Sequence, residues 1–113
     1  MRMEIKCGRL FELPRRCAPG DAELFDELAS GMGCRVERIV STGQVTPAGQ
    51  WYDQDDDEWV ALLQGEARLL WENGSESALL PGDWLLIPAH VRHRVVHTSA
   101  EPPCVWLAVH FRC

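Results

Sequence analysis

The chain is short of positive charge: 11 Lys and Arg stand against 17 Asp and Glu, the formal net charge is -6, and the only adjacent basic pair is Arg15-Arg16. That dispersion leaves no basic footprint for a phosphate backbone, so nucleic acid is not an expected partner. No apolar run approaches the roughly 20 residues of a membrane-spanning helix. The opening Met1-Arg2-Met3-Glu4-Ile5-Lys6 carries charges where a signal peptide places its apolar core. These absences predict a soluble, cytoplasmic protein with no membrane partner. Cys7, Cys17, Cys34, Cys104 and Cys113 are odd in number and contain no C-x-x-C pair. This excludes a disulfide framework and a zinc ribbon as expectations and leaves free thiols. Internal repeats and low-complexity stretches are also missing.

What is present is one compact domain, since 113 residues at 46% hydrophobic content are too few for two cores. Residues 1–33 are expected to form an N-terminal arm, with at most a short strand around Arg9 to Leu13, and a short helix packed on the remainder. Asp21 is placed to cap that helix through about Ser30, with Glu23 in its first turn. Leu24, Phe25, Leu28 and Ala29 form an apolar stripe, and Gly31 and Gly33 follow as a stop. From residue 34 to 113 the period becomes strand-like. Short extended segments are separated by Ser41-Thr42-Gly43, Asn73-Gly74, Pro81-Gly82-Asp83, Pro88 to Arg92 and Glu101-Pro102-Pro103. About eight strands with such punctuation predict an all-β sandwich or barrel. Asn73-Gly74 is the sharpest hairpin signal and predicts a type I′ turn.

The spacing of several residues resembles the cupin signature. Its second half maps onto Gly82, Pro88, Ala89, His90 where glycine is usual, His93, and His97 where asparagine is usual. In the first half Glu58 and Gly65 keep their separation, whereas Tyr52 and Gln54 stand at the two histidine positions and Thr46 at the opening glycine. The resemblance, over about Ser41 to Phe111, implies an all-β double-stranded β-helix (jelly-roll) cupin barrel, here with one short N-terminal helix. It also implies a polar pocket for a small-molecule ligand and a homodimer paired through the outer sheet. Five tryptophans and apolar strand faces that need cover agree with the dimer.

By the same resemblance Tyr52, Gln54, Glu58 and His93 stand where a metal would be held. Tyr52 and Gln54, two apart on a strand, share a face at about 6.6 Å. One divalent ion, zinc or iron, fits this set through His93 and Glu58, and a metal-free pocket is the alternative. The substituted positions favour borderline metals less, because amide oxygen is a poor donor and a phenol must ionise from near 10. His97 shares a face with His93 on a regular strand but lies about 13 Å away, so it is a pocket liner rather than a ligand. His90 is a turn residue or a ligand-binding group. His110, on one face with Trp106, is pocket-facing or a hydrogen-bonded core histidine.

The acidic run Asp53 to Glu58 does not make a calcium loop: its sixth position is Glu58 rather than glycine and its twelfth is Gln64. Three functions remain open: a small-molecule binding module, a metal-dependent oxygenase, isomerase or lyase, and a non-catalytic homodimeric assembly unit. No reaction is assigned.

Overall fold

The computed structural model describes residues 4–14 and 20–112. Arg15-Arg16, Cys17, Pro19 and Cys113 lie outside the described residues. Eight strands follow in order: β1 (Leu24–Gly31), β2 (Cys34–Ser41), β3 (Asp57–Gln64), β4 (Ala67–Trp71), β5 (Glu76–Leu79), β6 (Trp84–Ile87), β7 (His93–Thr98) and β8 (Cys104–Phe111). They form a five-stranded sheet, ordered β1-β2-β8-β3-β6, and a three-stranded sheet, ordered β5-β4-β7, with antiparallel pairing throughout. No helix of the described residues is long and apolar enough to cross a membrane. Cys7, Cys34 and Cys104 are free thiols.

The expected helix at 21–30 is instead strand β1, and the short strand around Arg9 to Leu13 is a turn in which the Glu12 amide donates to the Arg9 carbonyl. The stripe Leu24, Phe25, Leu28, Ala29 satisfies a helical period, yet the available edge of β2 satisfies every backbone group of an extended segment as well. Leu24 and Asp26 face Val40 and Arg38, while Phe25 and Glu27 face Ile39 and Glu37. Asp26 accepts from Arg38 at 2.6 Å across the pair. A bulge between Glu27 and Ala29 takes up the odd residue. Gly31 and Gly33, expected as a helix stop, belong to the hairpin turn closed by the Gly31–Cys34 pair, with Gly33 at φ 67°. Arg38 also holds the N-terminal arm, donating to the carbonyls of Arg9, Leu10 and Glu12 at 3.0–3.3 Å.

The hairpin at Asn73-Gly74 is present but is not type I′. Gly74 alone has positive φ there, its amide donates to the Trp71 carbonyl, and the Asn73 side chain accepts from Ser75. That is a three-residue loop with glycine in the left-handed position. The core lies between the two sheets, where Val60, Leu62, Ile87, Trp106 and Ala108 meet Ala67, Leu69 and Leu79. Each fully buried leucine there contributes about 1.5–3 kcal/mol.

Gly65 explains one signature position physically. Its φ is +90°, and an added Cβ would lie 2.7 Å from Ser99 Oγ and 2.9 Å from the Cys104 Cα and Sγ atoms. Gly65→Ala is expected to destabilise the fold by about 2–4 kcal/mol through strain and overpacking, measured by denaturant unfolding. Gly74→Ala, where nothing lies within 4 Å, pays the backbone strain alone and serves as the milder comparison.

Candidate functional site

Alternation along the strands aims one set of side chains between the sheets. Glu58 pairs with Ile87 on one side and His110 on the other, and Val60 pairs with Leu85 and Ala108. Across β8, Arg35, Glu37 and Ile39 pair with His110, Ala108 and Trp106. These inward positions, with Tyr52, Gln54 and Asp56 from the preceding loop and His93 and Val95 from β7, line a cavity of about 370 Å³. Its floor is apolar, formed by Val60, Leu69, Ile87, Val95 and Trp106.

His93 is 5% exposed and held from three directions. Its ring stacks on Tyr52 at 5.4 Å and tilts against Trp71 at 5.9 Å. Tyr52 and His93 also exchange both backbone hydrogen bonds. Its Nδ1 lies 2.9 Å from the Val91 carbonyl oxygen, which only accepts, so Nδ1 carries the proton. Nε2 therefore faces the cavity, 4.0 Å from Glu58 Oε1 and beyond hydrogen-bond reach.

Glu58 is 8% exposed. Gln54 donates an amide hydrogen to its Oε1 at 3.4 Å, and His110 Nε2 stands 3.9 Å from its Oε2. Burial pushes the Glu58 carboxyl above its ordinary range, and the positive charge available on His110 and His93 offsets only part of that rise. His110 Nε2 instead donates to Glu37 Oε1 at 2.9 Å, and Arg35 Nε lies 3.6 Å from Glu37 Oε2. At the other end of the cavity Glu23 accepts from the Ser41 hydroxyl, which in turn accepts from the Trp106 indole at 3.1 Å. Burial raises the Glu23 carboxyl too. The Tyr52 phenol is raised by burial and then by the charges of Glu23 and Glu58, against a hydrogen bond with Thr46.

Of the expected metal set, Gln54, Glu58 and His93 do converge, and Tyr52 joins them as an aromatic wall. Among the described residues, however, no three His, Cys, Asp or Glu side chains are gathered where they can share an ion. His110 and Trp106 line the cavity as expected, and His110 is both pocket-facing and hydrogen-bonded. His97 is not among the lining residues. A bulge in β7 pairs Leu69 with Val95 but Arg68 with His97, so the alternation shifts and Thr98, rather than His97, falls opposite buried Ala67. His90 is also outside the cavity. It is an exposed turn residue at φ 64° whose amide donates to the Gln54 carbonyl and whose Nδ1 pairs with Asp53 at 2.7 Å. Its role is to fix the loop that presents Gln54.

Sequence reasoning missed Glu23, Arg35 and Glu37. The last two sit on a strand with charge on both faces, Arg35 and Glu37 on one and Arg38 on the other, so alternation alone does not tell which face is inward. Glu23 was hidden by the helical reading of its neighbours.

A carboxyl whose folded pKa is raised stabilises the fold fully below its unfolded value near 4.5 and loses that stability as pH rises through the folded value. Glu58→Gln should therefore melt higher than the parent protein above that window, and the difference should vanish toward pH 4. Thermal denaturation from pH 4 to 8 measures this; a variant that melts lower at pH 8 contradicts it.

Residues 38–110 match the family described as the cupin domain. A provisionally named mannose-6-phosphate isomerase of Ralstonia eutropha JMP134 is 42% identical, with 96% of this chain and 100% of that chain covered at a TM-score of 0.88. A cupin superfamily protein of Desulfitobacterium hafniense DCB-2 is 20% identical over 100% of both chains at 0.71. The iron(II) form of HppE is 17% identical over 80% of this chain and 50% of its own, at 0.67. The last two show likeness of fold. No curated protein matches the chain. With the family match spanning well over half of its residues, and a jelly-roll of two antiparallel sheets enclosing a polar cavity, the chain belongs to the cupin domain family.

Proposed function

We propose that this cupin barrel is a binding protein that takes one small polar molecule into its cavity and holds it through Glu58 and His93. The observation that supports this is the gap between them. His93 Nε2 and Glu58 Oε1, on two buried residues, face one another across the cavity at 4.0 Å with no hydrogen bond between them, a gap that a ligand group bonding to both would close. A cavity of about 370 Å³ with an apolar floor is within the ordinary range for small-molecule sites. The same pair, one free imidazole and one carboxyl of raised pKa, suits proton transfer on a bound molecule. The name of the Ralstonia eutropha protein makes hexose phosphates the competing ligand class, the one that an anion-binding result would favour.

The family and the iron(II) and cobalt(II) forms of HppE raise the question of a metal. The donor chemistry here does not fit a tightly held ion. Gln54 offers a neutral amide, the raised Tyr52 phenol stays protonated, and His110 Nε2 is engaged by Glu37. Glu58 and His93 alone make a weak site for a borderline metal.

The outer face of the five-stranded sheet supports a homodimer. Trp59 and Ala61 of β3, Trp84 and Leu86 of β6, and Leu107 and Val109 of β8 face away from the core in register. Trp84 and Leu86 are 58% and 54% exposed, and Arg38, paired with Leu107, stands at the edge of the patch.

Histidine-labelled protein screened against polar fragments by NMR is expected to give ligands that move the His93 ring signals and lose at least tenfold in affinity in Glu58→Gln. Ligands that all leave His93 unmoved would sink the binding assignment. Elemental analysis of untagged protein is expected to find far less than one zinc or iron per chain; a stoichiometric ion lost on His93→Ala would restore the metal reading. Sedimentation should show a dimer that Trp84→Lys converts to monomer, and a monomeric parent protein would remove that part of the proposal.

A further inference from the structure

We propose that the ligand of this cavity is an amphipathic amine, a small apolar body bearing a protonated amino group, and that phosphorylated and carboxylated molecules are excluded. This deepens the binding reading above and rests on it. The cavity is lined by four carboxylates, Glu23, Glu37, Asp56 and Glu58, and by one guanidinium, Arg35. The charges inside it are unequally matched. Glu37 is shared by Arg35 and His110, and Asp56 is paired with Arg112. Glu23 has a serine hydroxyl, and Glu58 has an amide with two imidazoles at 3.9–4.0 Å. The unmatched negative charge is therefore on Glu23 and Glu58.

His93 supplies the independent observation. Its side chain is 7% exposed, and Nε2 looks into the cavity, 4.0 Å from Glu58, with no hydrogen-bond partner among the described residues. The oxygens of Glu23 and Glu58 are acceptors, and a neutral His93 Nε2 is one as well. An ammonium group presents three donors and no acceptor, and the Tyr52 ring beside His93 adds a face that attracts cations. The apolar floor of Val60, Leu69, Ile87, Val95 and Trp106 takes the hydrocarbon body. An anionic ligand would meet four lining carboxylates against one guanidinium in a site of low polarisability.

Four probes on similar skeletons separate these cases: 2-phenylethylamine, 2-phenylethanol, 3-phenylpropionate and phenyl phosphate, each titrated at low salt while the His93 ring signals are followed. The amine is expected to move His93 and to bind at least tenfold tighter than the alcohol, while the two anions leave His93 unmoved. Glu23→Gln should weaken the amine about tenfold and leave the alcohol unchanged. An anion that moves His93 as strongly as the amine overturns the charge assignment and leaves the binding reading standing. So does equal affinity for amine and alcohol, or silence from the amine while the wider fragment screen yields uncharged His93 ligands. Fragments that bind only elsewhere overturn the binding reading itself.

Discussion

Burial of the Glu58 carboxylate on the inner face of the five-stranded sheet governs the rest of the site. Its position follows from pairing: β3 is held by β6 on one side and β8 on the other, and the register sets Glu58 beside both Ile87 and His110. A one-residue slip in either ladder would carry Glu58 to the outer face and bring Trp59 into the cavity. The core residues Val60 and Leu62, which follow on the same inner face, therefore fix the site and the fold together. Function here is tied to the packing that stabilises the barrel, and the site cannot shift without opening the core.

Around that carboxylate the barrel places groups that limit its discomfort without removing it. Two imidazoles approach to 3.9 and 4.0 Å, and an amide donates at 3.4 Å. Each is at or beyond the edge of a good hydrogen bond. By contrast, Glu37 and His110 are in close contact at 2.9 Å. The first arrangement leaves capacity for a visitor; the second is already complete. This distinction separates a binding group from a structural one among four residues that look alike in composition.

Much of the barrel was legible in the sequence because turn chemistry is local. Gly65, Gly82 and Gly74 all take positive φ, and the expected breaks at Asn73-Gly74, Pro81-Gly82-Asp83 and Glu101-Pro102-Pro103 all fall between strands. The same turns bring Gln54 within 3.4 Å and His93 within 4.0 Å of Glu58. Two features escaped because they depend on partners distant in the chain. Leu24 to Ala29 satisfies helical and extended patterns equally, and only the free edge of β2 decides between them. The place of His97 depends on a bulge opposite Arg68 and Leu69. A single inserted residue reverses every later side chain, and no turn residue announces it.

The departures from the usual cupin residues have a common electrostatic consequence. With Tyr52 and Gln54 at the positions where histidines are usual, the cavity loses two neutral imidazole donors and keeps its carboxylate. Glu23, brought in by a strand that the signature does not cover, adds a second poorly matched carboxylate. A metal ion would neutralise such a pocket if its ligands were sufficient, but Gln54 and Tyr52 supply neither charge nor a strong donor. Beyond protonation, which burial already favours for both carboxyls, such charge is neutralised by a cation that arrives with its own hydrogen-bond donors, as proposed above. On this view the substitutions did not dismantle the site. They changed the kind of positive charge that it is built to receive.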